Sequence, residues 1–273
     1  MLLFSSTAAF VQAADQAPPS PSPAPTASAP ADPCGSLGSI VSRPSFTTAV
    51  CTVRPHHFEV ESGWTNTTTT GTGGGNVGNY GIGAIRFGTG DPHFEWSVSP
   101  PTDFPKLTQT GPKGWGDTAI GARKELGYTS NLLWGVNTVI TLPTGTHAYS
   151  AGGPQYTGNF NWSYTANSVL GFAGTFGFNQ LRAYNASGVS QSYFAFIPTL
   201  EATASLPGPS QLFAEYVYYS QAGIGLGSKN LFDFGYSHAF GPHLIFDIEY
   251  GESPTLLNSQ RQSYVGAGLT FMN

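Results

Sequence analysis

The sequence predicts an all-β fold, an antiparallel transmembrane β-barrel of about 12 strands with short turns on one rim and longer loops on the other. Three observations lead there. Only 9% of the 273 residues are charged while 14% are aromatic and 35 are Gly; disordered chains are poor in aromatics, and soluble domains carry about 25% charged residues. From His56 onward, segments of about ten residues alternate large apolar with small or polar side chains, the period of a strand. The connections between them alternate short and long, the pattern of a membrane barrel. Beyond the first fifteen residues the longest apolar runs fall well short of the ~20 residues a helix needs to cross a bilayer. A chain of this composition therefore crosses with strands.

The N-terminal elements read as export and tether. Residues 1–14, within MLLFSSTAAFVQAAD, form an apolar stretch closing on small residues that fit an A-x-A cleavage site near Ala13 or Ala14, although the usual positive n-region is missing. Residues 15–33, including QAPPSPSPAPTASAPADP, hold too little apolar surface to fold and are expected to be a flexible linker. Residues 34–55 carry both cysteines, Cys34 and Cys51. In an exported chain such a pair most simply forms one disulfide closing a small loop. Neither sits in a C-x-x-C pair, and no third soft ligand is nearby, so redox or metal chemistry is the weaker expectation. The segment either caps or plugs the lower mouth of the barrel or hangs below it. An oxidising compartment, the periplasm or outer membrane of a Gram-negative cell, follows.

Residues 56–273 are the barrel. Strands are expected at roughly 56–66, 77–87, 92–98, 116–127, 131–142, 155–166, 168–180, 190–204, 210–221, 228–239, 242–251 and 261–271. The links GTGD, TS, NS, LPGPS and FGP are short; TNTTTTGTGGGN and SPPTDFPKLTQTGPKGWG are long. An even strand count puts both termini on the short-turn, periplasmic side. A soluble β-sandwich also alternates, but it rarely places so many aromatics near strand ends. Phe58, Val60 and Trp64, then Phe94, Trp96 and Val98, Phe194, Phe196 and Leu200, and Phe232, Phe234 and Tyr236 form the expected lipid faces. Gly171, Gly174 and Gly177 suit either tight curvature or close packing under bulky neighbours.

With apolar parity outward, the inward positions are Glu59, Glu61, Glu95, Arg123, Glu125, Glu201, Glu215, Asp233, Asp247 and Glu249, the candidate pore-lining set. Carboxylates dominate it. Such a ring of acids either creates a field that favours cations along a pore or pairs with Arg86, Arg123 or Arg182 in a filled interior. Arg123, Lys124 and Glu125 are consecutive, so one must face lipid, and Lys124 can do so only by snorkelling near a rim. In HLIFDIEYG, Leu244, Phe246, Ile248 and Tyr250 face lipid while Asp247 and Glu249 face inward. There they enter an open acidic pore or a packed network with Asp233 and a basic partner from across the barrel.

FEVESGW (58–64), GDTAIGARKEL (116–126), ITLPTG (140–145), FDFGYSHAFGPHLIFDIEYG (232–251) and YVGAGLTF (264–271) resemble the outer-membrane "MetA-pathway of phenol degradation" transporter family. The resemblance covers residues 55–273. It implies a barrel that passes small, aromatic or hydrophobic compounds across the bacterial outer membrane. It also implies a terminal aromatic read by the barrel-assembly machinery; Phe271 is the candidate, followed here by Met272 and Asn273. The cysteine segment is an addition to the family pattern.

The expected function is passive passage of small solutes, with a structural or surface-interaction barrel as the alternative and a lipid-acting enzyme last. Twelve-stranded outer-membrane phospholipases use an H-x-S-N-G type motif, which is absent here, and Ser237 beside His238 points to the opposite face. The six His are scattered, so no metal and no cofactor is expected. A formal charge of -5 offers no basic patch for nucleic acid. The expected partners are the outer-membrane bilayer, the assembly machinery and a small-molecule solute.

Overall fold

The computed structural model describes residues 32–71, 74–105, 112–185, 187–254 and 260–273. The described residues all fall in one compact unit, Ala31–Asn273. The expected signal peptide and most of the expected linker lie outside the described residues. A short helix, α1 (Leu37–Ile40), precedes β1 (Phe58–Thr70), β2 (Gly75–Gly88), β3 (Phe94–Ser99), β4 (Asp103–Phe104), β5 (Gly114–Trp115), β6 (Thr118–Tyr128) and β7 (Leu132–Leu142). There follow β8 (Gln155–Thr165), β9 (Leu170–Tyr184), β10 (Ser190–Ser205), β11 (Ser210–Tyr219), β12 (Lys229–Ala239), β13 (Leu244–Ser253) and β14 (Arg261–Met272).

Twelve of these strands close an antiparallel barrel. β1 pairs with β2 on one side and with β14 on the other, so no free edge is left at the seam. Closure matters because a backbone group without a partner in hydrocarbon costs several kcal/mol. β4 and β5 form a small ladder beside the upper part of β2, joined through Tyr80 and Asp103. Pro100 and Pro101, which have no N–H to give a ladder, separate β3 from β4.

The exterior is apolar along its whole circumference. Trp64, Tyr80, Phe87, Trp96, Ile140, Phe178, Phe194, Leu200, Phe232, Phe234, Ile248 and Leu269 are all exposed. An apolar surface of this extent marks contact with lipid or another apolar phase. Rings on neighbouring strands meet across it, as in Phe234 with Tyr250 (5.6 Å) and Tyr216 with Phe232 (5.3 Å). Lys124 faces outward near the short-turn rim, where its ammonium lies 3.0 Å from Asp91 and over the Phe94 ring. The His93 amide, and then Lys124, hold the Asp91 carboxyl below its usual range.

One local expectation changes and another narrows. The run TNTTTT, read as loop, is the upper end of β1, and β2 begins at Gly75. Thr is β-branched and suits the pleated ladder, so β1 extends to Thr70. For the glycines of β9, the second of the two readings, close packing under neighbours, has contacts behind it. A Cβ at Gly174 would lie 2.8 Å from both the Trp162 ring and the Thr199 carbonyl oxygen, and one at Gly177 would lie 2.9 Å from the Ile197 oxygen. Trp162 pairs with Gly174 across the β8–β9 ladder and lies over it.

Candidate functional site: a lumen filled by the N-terminal segment

The N-terminal segment enters the barrel: Ile40, Thr47, Val50, Cys51, Thr52 and Val53 are buried, while Asp32, Pro33, His56 and His57 at its ends are exposed. Cys34 and Cys51 are joined by a disulfide closing a loop with a sequence separation of 17. Cys34, Ile40, Val50, Cys51 and Val53 pack with Leu133 of β7 into a buried cluster, and Tyr128 and Met272 lie against it. These wall residues belong to the short-turn end of the barrel. The apolar residues of the segment thus anchor it there, while its polar backbone reaches the wall above.

The wall meets that backbone in three ways. The sector of β1, β2, β3 and β6 is an ion-paired block. Arg86, 2% exposed, is centred in it: Nη1 donates to Glu59 at 2.6 Å, and Nε to Glu95 at 2.8 Å. The same guanidinium donates to the Ile40 carbonyl at 2.6 Å and the Cys51 carbonyl at 2.9 Å. Arg123 adds a second bond to the Cys51 carbonyl at 3.1 Å. In return the wall acids accept from segment amides: Glu61 from Ser42, Glu125 from Thr52 and Glu95 from Val53, each at 2.7 Å. Arg54 of the segment closes the block with an ion pair to Glu125 at 3.3 Å. Charged groups bonded to charged or backbone partners make the stronger class of hydrogen bond.

A second sector, β7 to β10, is uncharged in its middle. Asn161 donates to Asn137 at 2.7 Å and accepts from the Thr175 hydroxyl at 3.0 Å. Thr175 in turn accepts from the Thr48 amide at 3.1 Å, and Thr199 shares a 2.5 Å bond with Thr47. These positions lie on the same inward parity as the acids, but an uncharged residue carries no signal in the sequence that marks it as functional.

The third sector, β10 to β13, carries Glu201, Glu215, Asp233, Asp247 and Glu249. Glu201 and Glu215 face each other in register, as do Glu215 and Asp233. Glu215 accepts from the Phe46 amide at 2.7 Å and the Thr47 hydroxyl at 2.5 Å. Arg43 reaches Asp247 at 3.1 Å and Glu249 at 3.9 Å. It occupies a slot made by two glycines paired across the β1–β14 seam, Gly63 and Gly268. A Cβ at Gly63 would lie 2.6 Å from the Arg43 Cζ, and one at Gly268 would overlap its Nε. Small residues on the wall and a long cation on the segment are therefore matched in shape as well as charge.

All ten inward candidates lie on the lumen face, with Glu59, Asp233 and Asp247 fully buried. The pairing differs from the expectation in two respects. Among the described residues Arg182 joins no acid; near the loop rim it donates to the Ser190 hydroxyl and carbonyl, each at 3.1 Å. The basic partner of Asp247 comes from the N-terminal segment and not from across the barrel, because the segment fills the space between opposite walls. Phe271 is outward on β14, against Phe58 at 6.2 Å. His238, isolated in the sequence reading, bonds Ser210 of the neighbouring strand at 2.7 Å. Cavities lie beside the segment. One of about 510 Å³ is lined by Ser45, Thr47, Glu201, Thr203 and Ser237 among others, and one of about 220 Å³ lies next to Ser42, Glu61 and Arg123.

No protein-family model matches the chain, and no curated protein sequence matches it. The family resemblance therefore rests on the quoted segments alone. Solved structures do share the fold. The outer-membrane channel of Pseudomonas putida F1 described as COG4313 aligns with a TM-score of 0.61 at 11% identity, covering 82% of this chain and 98% of that one. The NanC porin aligns at 0.55 and 11% identity, covering 78% and 98%. The KdgM porin in complex with disordered oligogalacturonate aligns at 0.51 and 10% identity, again covering 78% and 98%. At such identities the likeness is one of fold: this chain is a closed, antiparallel, twelve-stranded β-barrel of the porin-like kind.

Proposed function

We propose that this chain is an outer-membrane channel for small solutes whose own N-terminal segment occupies the lumen and gates it. The observation that carries the proposal is the bonding of that segment. Above the disulfide cluster it meets the acid-rich sector through hydrogen bonds and an ion pair, Phe46 to Glu215 and Arg43 to Asp247. Water can replace each of these, so the segment can shift without exposing an apolar core above the disulfide cluster. The apolar exterior supports residence in a bilayer, and the shared fold of porins supports passage. Glu59, Glu61, Glu95, Arg123, Glu125, Glu201, Glu215, Asp233, Asp247 and Glu249 line the route in this reading. Phe271 serves as the signal to the assembly machinery. An acidic, hydroxyl-rich wall favours polar or cationic solutes over hydrophobic ones.

A second reading, a sealed structural barrel, draws on the same filled lumen. Planar-bilayer recording separates the two. The channel reading expects brief, low conductance from the intact chain, and larger, longer openings with cation-selective reversal potentials when Arg43→Ala is combined with Cys34→Ser and Cys51→Ser. Silence from both proteins, each shown to be folded by its heat-modified gel mobility, supports the sealed barrel and rejects the channel.

A further inference from the structure

We infer that the cavity beside Ser42, walled by Arg123 and Glu61, is a recognition site for a small zwitterion of the α-amino acid class. The inference rests on the reading of the lumen as a solute route and names the chemistry of what that route selects.

The first ground is a space with both signs of charge on its wall. At about 220 Å³ the cavity is smaller than the ~300–1,000 Å³ of pockets that hold drug-sized ligands, so it suits a solute of few atoms. Arg123 of β6 and Glu61 of β1 line it, 8% and 5% exposed. Ser97 of β3 and Asn159 of β8 add neutral groups that give and accept hydrogen bonds. The second ground is an unmet donor on that wall. Of the three guanidiniums in this block, Arg86 bonds Glu59 at 2.6 Å and Arg54 bonds Glu125 at 3.3 Å. Arg123 instead donates to neutral oxygens, the Cys51 carbonyl at 3.1 Å and the Ser42 hydroxyl at 3.2 Å. Its carboxylate neighbour, Glu95, stands 3.6 Å from Nε, too far for a hydrogen bond, and is held by Arg86 at 2.8 Å and by the Val53 amide at 2.7 Å. The Arg123 Nε is thus buried without a hydrogen-bond partner. Buried N–H groups normally have one, and a guanidinium is best matched by a carboxylate that takes two of its donors. A carboxylate entering the cavity would supply that match.

The opposite charge on the same wall narrows the class. An anion alone would enter beside Glu61 and Glu95, and a cation alone beside Arg123 and Arg86, since all four line the cavity. A molecule carrying both charges on one short frame meets each with its opposite. Glu61 is placed for the ammonium: the Ser42 amide at 2.7 Å and Arg86 Nη1 at 3.8 Å both lie on its Oε1, and a carboxylate accepts up to about four bonds. Ala84 and Val139 leave a short apolar patch for a small side chain. The site also adjoins the route. Thr48 of the segment lines this cavity and the larger one of about 510 Å³, which reaches Gly208 and Pro209 at the short-turn end. Its amide is held to the wall by the Thr175 hydroxyl at 3.1 Å, so Thr48 stands between the site and the short-turn end of the lumen.

Isothermal titration of the full-length protein in detergent with L-alanine, sodium acetate and ethylammonium chloride tests the site. Saturable L-alanine binding is expected, with acetate and ethylammonium each bound at least tenfold more weakly. Arg123→Gln and Glu61→Gln should each weaken L-alanine binding tenfold or more, and Lys124→Ala should leave it unchanged. Should the variants of the ion-paired block fail to fold, Asn159→Leu, which fills the cavity from β8 and leaves that block as it is, is expected to weaken binding to the same degree. Absence of saturable L-alanine binding to the unaltered protein, acetate or ethylammonium binding as tight as L-alanine, or unchanged affinity in the folded variants would each overturn the inference. Conductance without such binding rejects this site and leaves the channel; binding without conductance rejects the channel and leaves the site.

Discussion

The two acidic sectors of the lumen carry the same residue type and are provided for differently. On β1, β2, β3 and β6, Glu59, Glu61, Glu95 and Glu125 share Arg86, Arg123 and Arg54 and also accept amides from the segment. On β10 to β13, five acids share Arg43 and a few segment donors, and Asp233 has the neutral Tyr264 hydroxyl for a neighbour. Buried charge is tolerated when paired and bonded, and is costly otherwise. The first sector is therefore a clamp that holds the segment in place. The second is under-provided, and its imbalance is where passage is to be sought.

Breaking the clamp should have the largest effect. Arg86→Ala leaves Glu59 and Glu95 without their buried partner and should destabilise the barrel by about 3–5 kcal/mol, read by urea unfolding in lipid vesicles. A loss below ~1 kcal/mol would mean that the block is not integral to the wall. Next is the tether. Cys34→Ser with Cys51→Ser removes the closure of a loop of this size, worth about 3 kcal/mol of constraint, and should make the segment sensitive to added protease while the barrel stays intact. Protection equal to that of the oxidised protein would show that the hydrogen bonds alone retain it.

The acid-rich sector should respond more modestly and in a different observable. Arg43→Met removes the partner of Asp247 at a cost of about 1–3 kcal/mol. It should raise both conductance and cation preference, since one positive charge leaves the lumen. Asp247→Asn with Glu249→Gln should shift the reversal potential the opposite way; an unchanged potential would remove both from the pore-lining set. The smallest effect belongs outside either sector. Lys124→Ala breaks an exposed pair with Asp91 worth about 0.2–1 kcal/mol and should leave conductance untouched.

Much of this was legible from the chain. Alternation placed every carboxylate of the set on the inward face, because a period of two leaves a strand only two choices and lipid rejects charge. Parity left the Arg123, Lys124, Glu125 triplet open, and the structure turns Lys124 outward near the short-turn rim. The upper end of β1 was misread because a Thr run shows no apolar alternation, and β-branching alone does not separate strand from loop. Arg43 and Arg54 lay in a segment with no period at all, so nothing local related them to acids some seventy to two hundred residues away.

By itself, the sequence determined the strands, their two faces and their closure into a barrel, since these follow from a local period repeated along the chain and from the cost of bare edges in hydrocarbon. The tertiary structure alone decided what fills the lumen. Whether Asp247 meets solvent, a neighbour or Arg43 depends on Gly63 and Gly268 coming together across the seam between the first and last strands. A contact between residues so distant in the chain leaves no periodic trace, and only folding brings its members within hydrogen-bonding reach.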